Sequence, residues 1–178
     1  MALSGAGAAQ SAAGMASGIN EAAKAYRQWK EINVLKNLEE GGPERINIDT
    51  GTAFAFISQD SPVRYELKEY VKGKDMVMTE TALEEFNNAV AKVGGNLEQS
   101  RAERFLKRIT IIPDNPSDRA MNLRITRRLG ANDKIIFGTG DNLNIVTMTS
   151  DAKFVRAASA QGVDFNVYVH TSRPLQGK

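Results

Sequence analysis

A chain of 178 residues, 42% apolar and 25% charged, has room for one buried core of ordinary size. It carries no cysteine and one histidine, His170, which excludes disulfides, zinc fingers, thiol nucleophiles and histidine-rich metal cages, and makes any Ser/His/Asp triad depend on a single imidazole. The net charge of +2 is too mild to indicate nucleic acid by itself, but allows it where basic residues cluster.

Residues 1–18, MALSGAGAAQSAAGMASG, form a low-complexity lead expected to be flexible. They lack the basic start and apolar block of a secretory signal, and no apolar run approaches the roughly 20 residues that span a bilayer, so no membrane role is expected. The absence of cysteine fits a reducing, cytoplasmic setting. From Ile19 to Glu40 helix formers dominate, and Ala22, Ala23, Tyr26, Trp29, Ile32, Leu35 and Leu38 recur every three or four residues. A helical arm over residues 19–44, lying on the main domain through that stripe, is expected, with Gly41, Gly42 and Pro43 as its stop.

Residues 45–178 read as one domain. Ile46–Ile48 is a predicted strand and Thr50–Ser58 is helical, while Ser61-Pro62 supplies a cap and a first-turn proline for a helix ending near Gly73. Met76–Met78 is a second strand, after which Leu83, Phe86, Val90 and Val93 mark the apolar stripe of a helix. A helix over Leu97–Lys107, a strand over Ile109–Ile112 and a helix over Ser117–Leu129 follow. Gly138 and Gly140 fall in the next helical stretch at a cost of about 1 kcal/mol each relative to alanine, so that helix is expected to be short or bent. Ile145–Met148 is a fourth strand, Asp151–Ala160 a helix and Phe165–Val169 the last strand. Strands separated by helices favour parallel pairing through right-handed crossovers, hence an α/β fold: a three-layer α/β/α sandwich with a mainly parallel central sheet.

In such a sheet ligands bind beyond the carboxyl ends of the strands. Asp49 closes the first strand, Asp151 follows the fourth, and Asp133 sits where a helix begins, so all three are expected at one edge. Glu80, Glu84 and Glu85 compete for a fourth place. At about 100° per residue, Glu85 lies about 100° from the middle of the apolar face, Glu80 about 120° and Glu84 about 160°, which favours Glu85. Four acids together repel one another and need a cation, and an all-oxygen donor set suits Mg²⁺ or Mn²⁺. Such a site activates water toward a phosphodiester. Each aspartate alone can equally be a helix N-cap.

These segments resemble the PIN-domain nucleases, metal-dependent ribonucleases often found as toxins paired with antitoxins. Ile46-Asn47-Ile48-Asp49-Thr50 resembles the opening strand and first aspartate, and Met78 to Phe86 is similar to the helix bearing the family's glutamate, with Glu85 in that place. Asn132-Asp133-Lys134-Ile135-Ile136 resembles the third acid and its helix, and Val146 to Phe154 the segment carrying Asp151. The resemblance spans roughly Ile46 to Phe165 and implies a PIN-like fold in which Asp49, Glu85, Asp133 and Asp151 are the catalytic, metal-holding acids. It also implies an RNA substrate, an antitoxin partner and a homodimer. Gly51 departs from the family, which often has asparagine there. The Ala/Gly-rich lead is similar to the connector before the toxic C-terminal tip of a polymorphic toxin, which implies an immunity protein and delivery to a target cell's cytoplasm.

Residues 101–134 are the most basic part of the chain. Arg124, Arg127 and Arg128, placed on one helix before Asp133, together with Lys134 and Lys153, are candidate RNA phosphate contacts. Thr50 and Thr149 are candidates to orient water or a carboxylate. Trp29, Tyr65 and Tyr70 are read as packing residues, and His170, after the last strand, as a surface or packing residue outside the acid cluster. The rivals are a PIN-like module that binds RNA or protein without catalysis, and an aspartyl-phosphate phosphotransferase at Asp49, against which Gly51 stands where a second aspartate belongs.

Overall fold

The computed structural model describes residues 21–29, 32 and 42–178. The chain divides into two units, Met1–Gly41 and Gly42–Lys178. In the first, residues 21–29 are helical, and Tyr26 and Trp29 stack with ring centroids 6.1 Å apart. Tyr26, Trp29 and Ile32 are each more than half exposed. The lead over residues 1–18, and Leu35 and Leu38 of the expected arm, lie outside the described residues.

The second unit runs β1 (Arg45–Ile48), α1 (Thr50–Ile57), α2 (Pro62–Tyr70), β2 (Asp75–Thr79), α3 (Glu80–Val93), α4 (Asn96–Leu106), β3 (Thr110–Ile112), α5 (Asp118–Met121), α6 (Ala131–Asn142), β4 (Val146–Thr149), α7 (Ala152–Ala160) and β5 (Val167–Val169). The five strands form one sheet in the order β3-β2-β1-β4-β5, and every pairing is parallel. Right-handed crossovers place α1 to α4 over one face and α5 to α7 over the other, because the chain moves outward from β1 in opposite directions. Each face has its own aromatic packing. Phe54 stacks on Phe86 and Phe56 on Phe105 on the first side, and Phe137, Phe154 and Phe165 pack mutually on the second. The sheet between them is covered on both faces: all four residues of β1 are buried, Ile46 and Ile48 on one side and the polar Arg45 and Asn47 on the other. No helix among the described residues is long and apolar enough to cross a membrane.

Several elements differ from expectation. The helix expected over Ser117–Leu129 stops at Met121. The Gln161 side chain takes the Arg124 amide and carbonyl, and Thr126 and Leu129 pair across a two-residue turn whose tip is Arg127-Arg128. Ser61 precedes α2 without a side-chain capping bond. Tyr65 lies about 200° around α2 from the buried Leu67 and is 65% exposed, whereas Tyr70 packs, its ring stacked 3.9 Å from that of Tyr168.

Helix α6 is not short: it runs for 12 residues and includes both glycines. A Cβ on Gly138 would come within 2.7 Å of the side chains of Ala120 and Pro116, and one on Gly140 would strike Thr147 Oγ1 and Asn47 Nδ2. Gly140 is what lets the helix approach the sheet, and Gly138 what lets α5 and Pro116 approach the helix. Asn47, fully buried on β1, uses its amide to donate to the Ile136 carbonyl of α6 and to Thr147 Oγ1 of β4, both at 3.0 Å. After β5 the chain continues without regular structure and returns to α4, where the buried Glu98 carboxylate accepts from the amides of Gln176, Gly177 and Lys178 as well as Gly95.

Gly140→Ala gives a test of opposite sign to the one helix propensity suggests. An exposed position would gain about 1 kcal/mol from alanine, but here overpacking costs about 1–3 kcal/mol, so urea denaturation should show a net loss of stability.

Candidate active site

With strands ordered 3-2-1-4-5, the connections from β1 and into β4 part company in the middle of the sheet, and a crevice opens beyond the carboxyl ends of these two strands. The residues that follow them are Asp49 and Ser150-Asp151. Both aspartates cap helices: Asp49 Oδ1 accepts from the Thr52 amide at 2.7 Å, starting α1, and Asp151 Oδ1 accepts from the Phe154 amide at 2.9 Å, starting α7. Asp133, in the first turn of α6, accepts from the Gly130 amide at 3.4 Å. Three helix N-termini therefore open onto the same place, and capping and site residue are one role here. Each bond fixes one oxygen of a carboxylate and thereby aims the other.

Glu85 completes the set from α3. Its Oε1 faces the Thr50 hydroxyl at 3.5 Å, whereas Glu84 is exposed to solvent and Glu80 is the first residue of the helix. Asp49, Glu85, Asp133 and Asp151 line a single cavity of about 340 Å³, together with Thr50, Gly51, Ile136, Ser150 and Ser172. Arg127, Arg128, Gly130 and Lys153 line an adjoining hollow that shares Asp133 and Asp151 with it. Gly51 is small because Ser150 occupies the room: a Cβ there would stand 2.7 Å from Ser150 Oγ.

The electrostatics show what crowding does. Burial pushes the Asp49 carboxyl up, against hydrogen bonds from Thr149 and Thr52 and the charge of His170. Burial also raises Glu85, and the charges of Asp133, Asp49 and Glu84 add to it. Asp133 is pushed up to about 6, chiefly by burial, then by Asp151 and Asp49, although the Gly130 amide opposes the shift. Helix N-termini favour carboxylates, but desolvation outweighs them here. No ion pair to any of the four acids occurs among the described residues.

Some expected residues stand elsewhere. Arg124 and Lys134 line neither hollow. Arg124 is on a loop rather than a helix, and Lys134, one step of helix rotation from Asp133, is buried. Arg127 and Arg128 reach the site from a tight turn, not from a helix. Thr149 accepts from the Asp151 amide at 2.9 Å and so joins two of the acids from beneath. His170 does pack, being buried, and it lines neither hollow. Its backbone amide donates to the Thr149 carbonyl, its Nδ1 faces the Thr171 carbonyl, and its Nε2 lies 2.7 Å from Thr52 Oγ1, directly behind Asp49. Ser150 and Ser172 were not expected as lining residues. Ser150 has a signal in its place between Thr149 and Asp151, while Ser172 has none.

The donor set is oxygen only and no ion pair to it occurs among the described residues, which suits a hard divalent ion. Among the described residues, however, no three acids close into a ready-made metal cage. The cavity presents converging, mutually repelling carboxylates, not a finished coordination sphere.

The raised acid gives a pH signature. Raised from its ordinary 3.8 to about 6 by folding, Asp133 holds more protons in the folded than in the unfolded chain between those pH values, so its contribution to stability falls as pH rises through that window. In EDTA, Asp133→Asn should therefore melt about 2–4 °C above wild type at neutral pH, the full shift being discounted to about 1 kcal/mol because the side chain is partly exposed. Below the lower value the two should coincide. A variant less stable than wild type at neutral pH would contradict the charge crowding.

Known structures share this architecture. VapBC2 from Rickettsia felis, solved bound to a DNA fragment from its promoter, is 20% identical over 72% of this chain and 99% of that one, with a TM-score of 0.51. DNA-bound VapBC from Salmonella typhimurium is 15% identical over 71% of this chain and 98% of that one, also at 0.51. At such identities the likeness is one of fold, and the fold is PIN-like. A family model described as "Protein of unknown function (DUF1308)" matches residues 51–178, beginning two residues after Asp49 and including the other three acids. The chain belongs to that family.

Proposed function

We propose that the chain is an endoribonuclease that hydrolyses RNA phosphodiester bonds with Mg²⁺ or Mn²⁺ and acts as a toxin-type nuclease. The observation that carries this reading is the cavity in which Asp49, Glu85, Asp133 and Asp151 meet from four separate elements, with Arg127, Arg128 and Lys153 in its continuation. A structural role does not explain why uncompensated acids should be held together at a cost in stability, whereas cation binding does.

In this reading Asp49, Glu85, Asp133 and Asp151 are the residues that would hold the metal. A divalent ion bound there would lower the pKa of a coordinated water and offset the charge that develops on the phosphate. Thr50 steadies Glu85, and Thr52 and Thr149 steady Asp49, so that the acids keep their positions whether or not they are charged. Arg127 and Arg128, presented at the tip of the 126–129 turn, grip phosphates of the RNA backbone, and Lys153 in the first turn of α7 supplies a further cation. The substrate is taken as RNA from the likeness to PIN-domain nucleases; the DNA of the two VapBC complexes belongs to those complexes. An antitoxin or immunity protein is the partner class that follows, a second copy of the chain a further partner, and the cytoplasm the place of action.

Two measurements test it. Purified protein should cleave RNA in the presence of Mn²⁺ and not in EDTA, and Asp49→Asn and Asp133→Asn, each shown to fold, should lose roughly 100-fold or more of that activity. Cleavage that persists in both variants would sink the assignment, while RNA binding with neither cleavage nor Mn²⁺ uptake would mark a non-catalytic binding module. Replacing Arg127 and Arg128 by Gln should raise KM more than it lowers kcat, because phosphate contacts outside the reacting centre contribute uniform binding.

A further inference from the structure

A second cluster of like charges lies away from the acid cavity. Helix α1 runs back from Thr50 at the crevice, and by Phe56 in its last turn it has travelled about 9 Å. There a narrow cleft is lined by Arg64 and Lys68 of α2 and by Arg101, Arg104 and Arg108 from α4 and its end, over a floor of Phe56 and Phe105. Helical spacing puts each set on one face: positions i and i+4 on α2, and i, i+3 and i+7 along α4. The two phenylalanine rings beneath them are stacked, with centroids 5.1 Å apart.

These cations form no ion pair among the described residues. Arg101 Nε donates to the Ile57 carbonyl at 2.5 Å, the negative end of α1, which offsets part of one charge. No ion pair to the other four occurs among the described residues, and no acid lines the cleft. Arg64 Nε is buried with no acceptor at all, a donor that folding has stripped of water without replacing it. The strain registers on Lys68, whose ammonium is pushed below its ordinary range by burial and then by Arg64 and Arg108.

Five cations over an aromatic floor raise the question of which anion fits. A carboxylate brings one charge and two oxygens, and would leave most of the guanidinium forks idle. A terminal or clustered phosphate brings nearly two charges or more and at least three acceptor oxygens, and arginine matches that geometry bidentately. We propose that this cleft is a binding site for a terminal or clustered phosphate group, carried either by the end of a nucleic-acid strand or by a small phosphorylated ligand. It is separate from the acid cavity and does not depend on that cavity's being catalytic.

The test is isothermal titration of pyrophosphate at low ionic strength, with EDTA present so that no metal bridges the ligand to the acids. Wild type and Asp49→Asn should bind alike, whereas Arg104→Gln/Arg108→Gln, at two exposed positions, should bind roughly ten-fold or more weakly. The same variant should melt higher than wild type without ligand, because it relieves repulsion, and gain less when pyrophosphate is added. A structural role for these arginines gives the reverse. Tighter binding of a 5′-phosphorylated oligonucleotide than of its 5′-hydroxyl counterpart assigns the phosphate to a strand end, and equal binding of the two with retained pyrophosphate affinity assigns it to a small ligand. Unchanged pyrophosphate binding in the double variant, or binding of polyglutamate where pyrophosphate fails, overturns the proposal.

Discussion

Helix α6 can reach the sheet only because residue 140 has no side chain. At that point the helix backbone meets Asn47 and Thr147, and the Asn47 amide ties α6, β1 and β4 together in one buried contact. Two of those elements end at acids of the cavity, and the third begins beside one. If the helix stood off by the width of a methyl group, Asp133 would be displaced relative to Asp49 and Asp151, so the packing of a glycine sets the spacing of carboxylates several residues away. A cost of about 1 kcal/mol in helix propensity is repaid by the closeness of the layers.

The crevice shows two uses of one geometry. A helix start needs an acceptor for its first amides, and an aspartate at the end of a strand supplies it. Three such starts opening at the switch point of the sheet bring three capping carboxylates together, so the cluster is partly a by-product of the topology. What the topology does not require is Glu85, which reaches in from the side of α3, or the depth at which Asp49 is buried. Those two make the cluster electrostatically costly and give it the character of a site. Helix α1 stands between the two unbalanced groups of the molecule, with its N-terminus at the acids and its last carbonyl on Arg101.

The alternation of strands and helices along the sequence was enough to place the parallel sheet, and the position of Asp49 and Asp151 just past their strands was enough to place them at one edge. Glu85 was legible because helix rotation is regular: of three neighbouring acids it lay nearest the buried face. Legibility failed where a distant group decides a local matter. Nothing between Ser117 and Leu129 announces that Gln161 will take the backbone of Arg124, so the helix seemed to continue. His170 is 118 positions from Thr52, and only the parallel pairing of β5 with β4 brings its ring behind Asp49. The glycines of α6 read as weaknesses because propensity is local and the contact that needs them is not.

The stretch after β5 has a consequence of its own. It passes the cavity with Ser172 in its wall and ends with three successive amides gripped by Glu98, about 80 positions earlier in the chain. A segment without secondary structure is thereby held to the first turn of a helix. The two form one cooperative unit: local opening of that turn frees the tail, and freeing the tail removes part of the cavity wall. Fraying at the start of α4, a helix none of whose residues lines either hollow, would thus loosen the cavity wall.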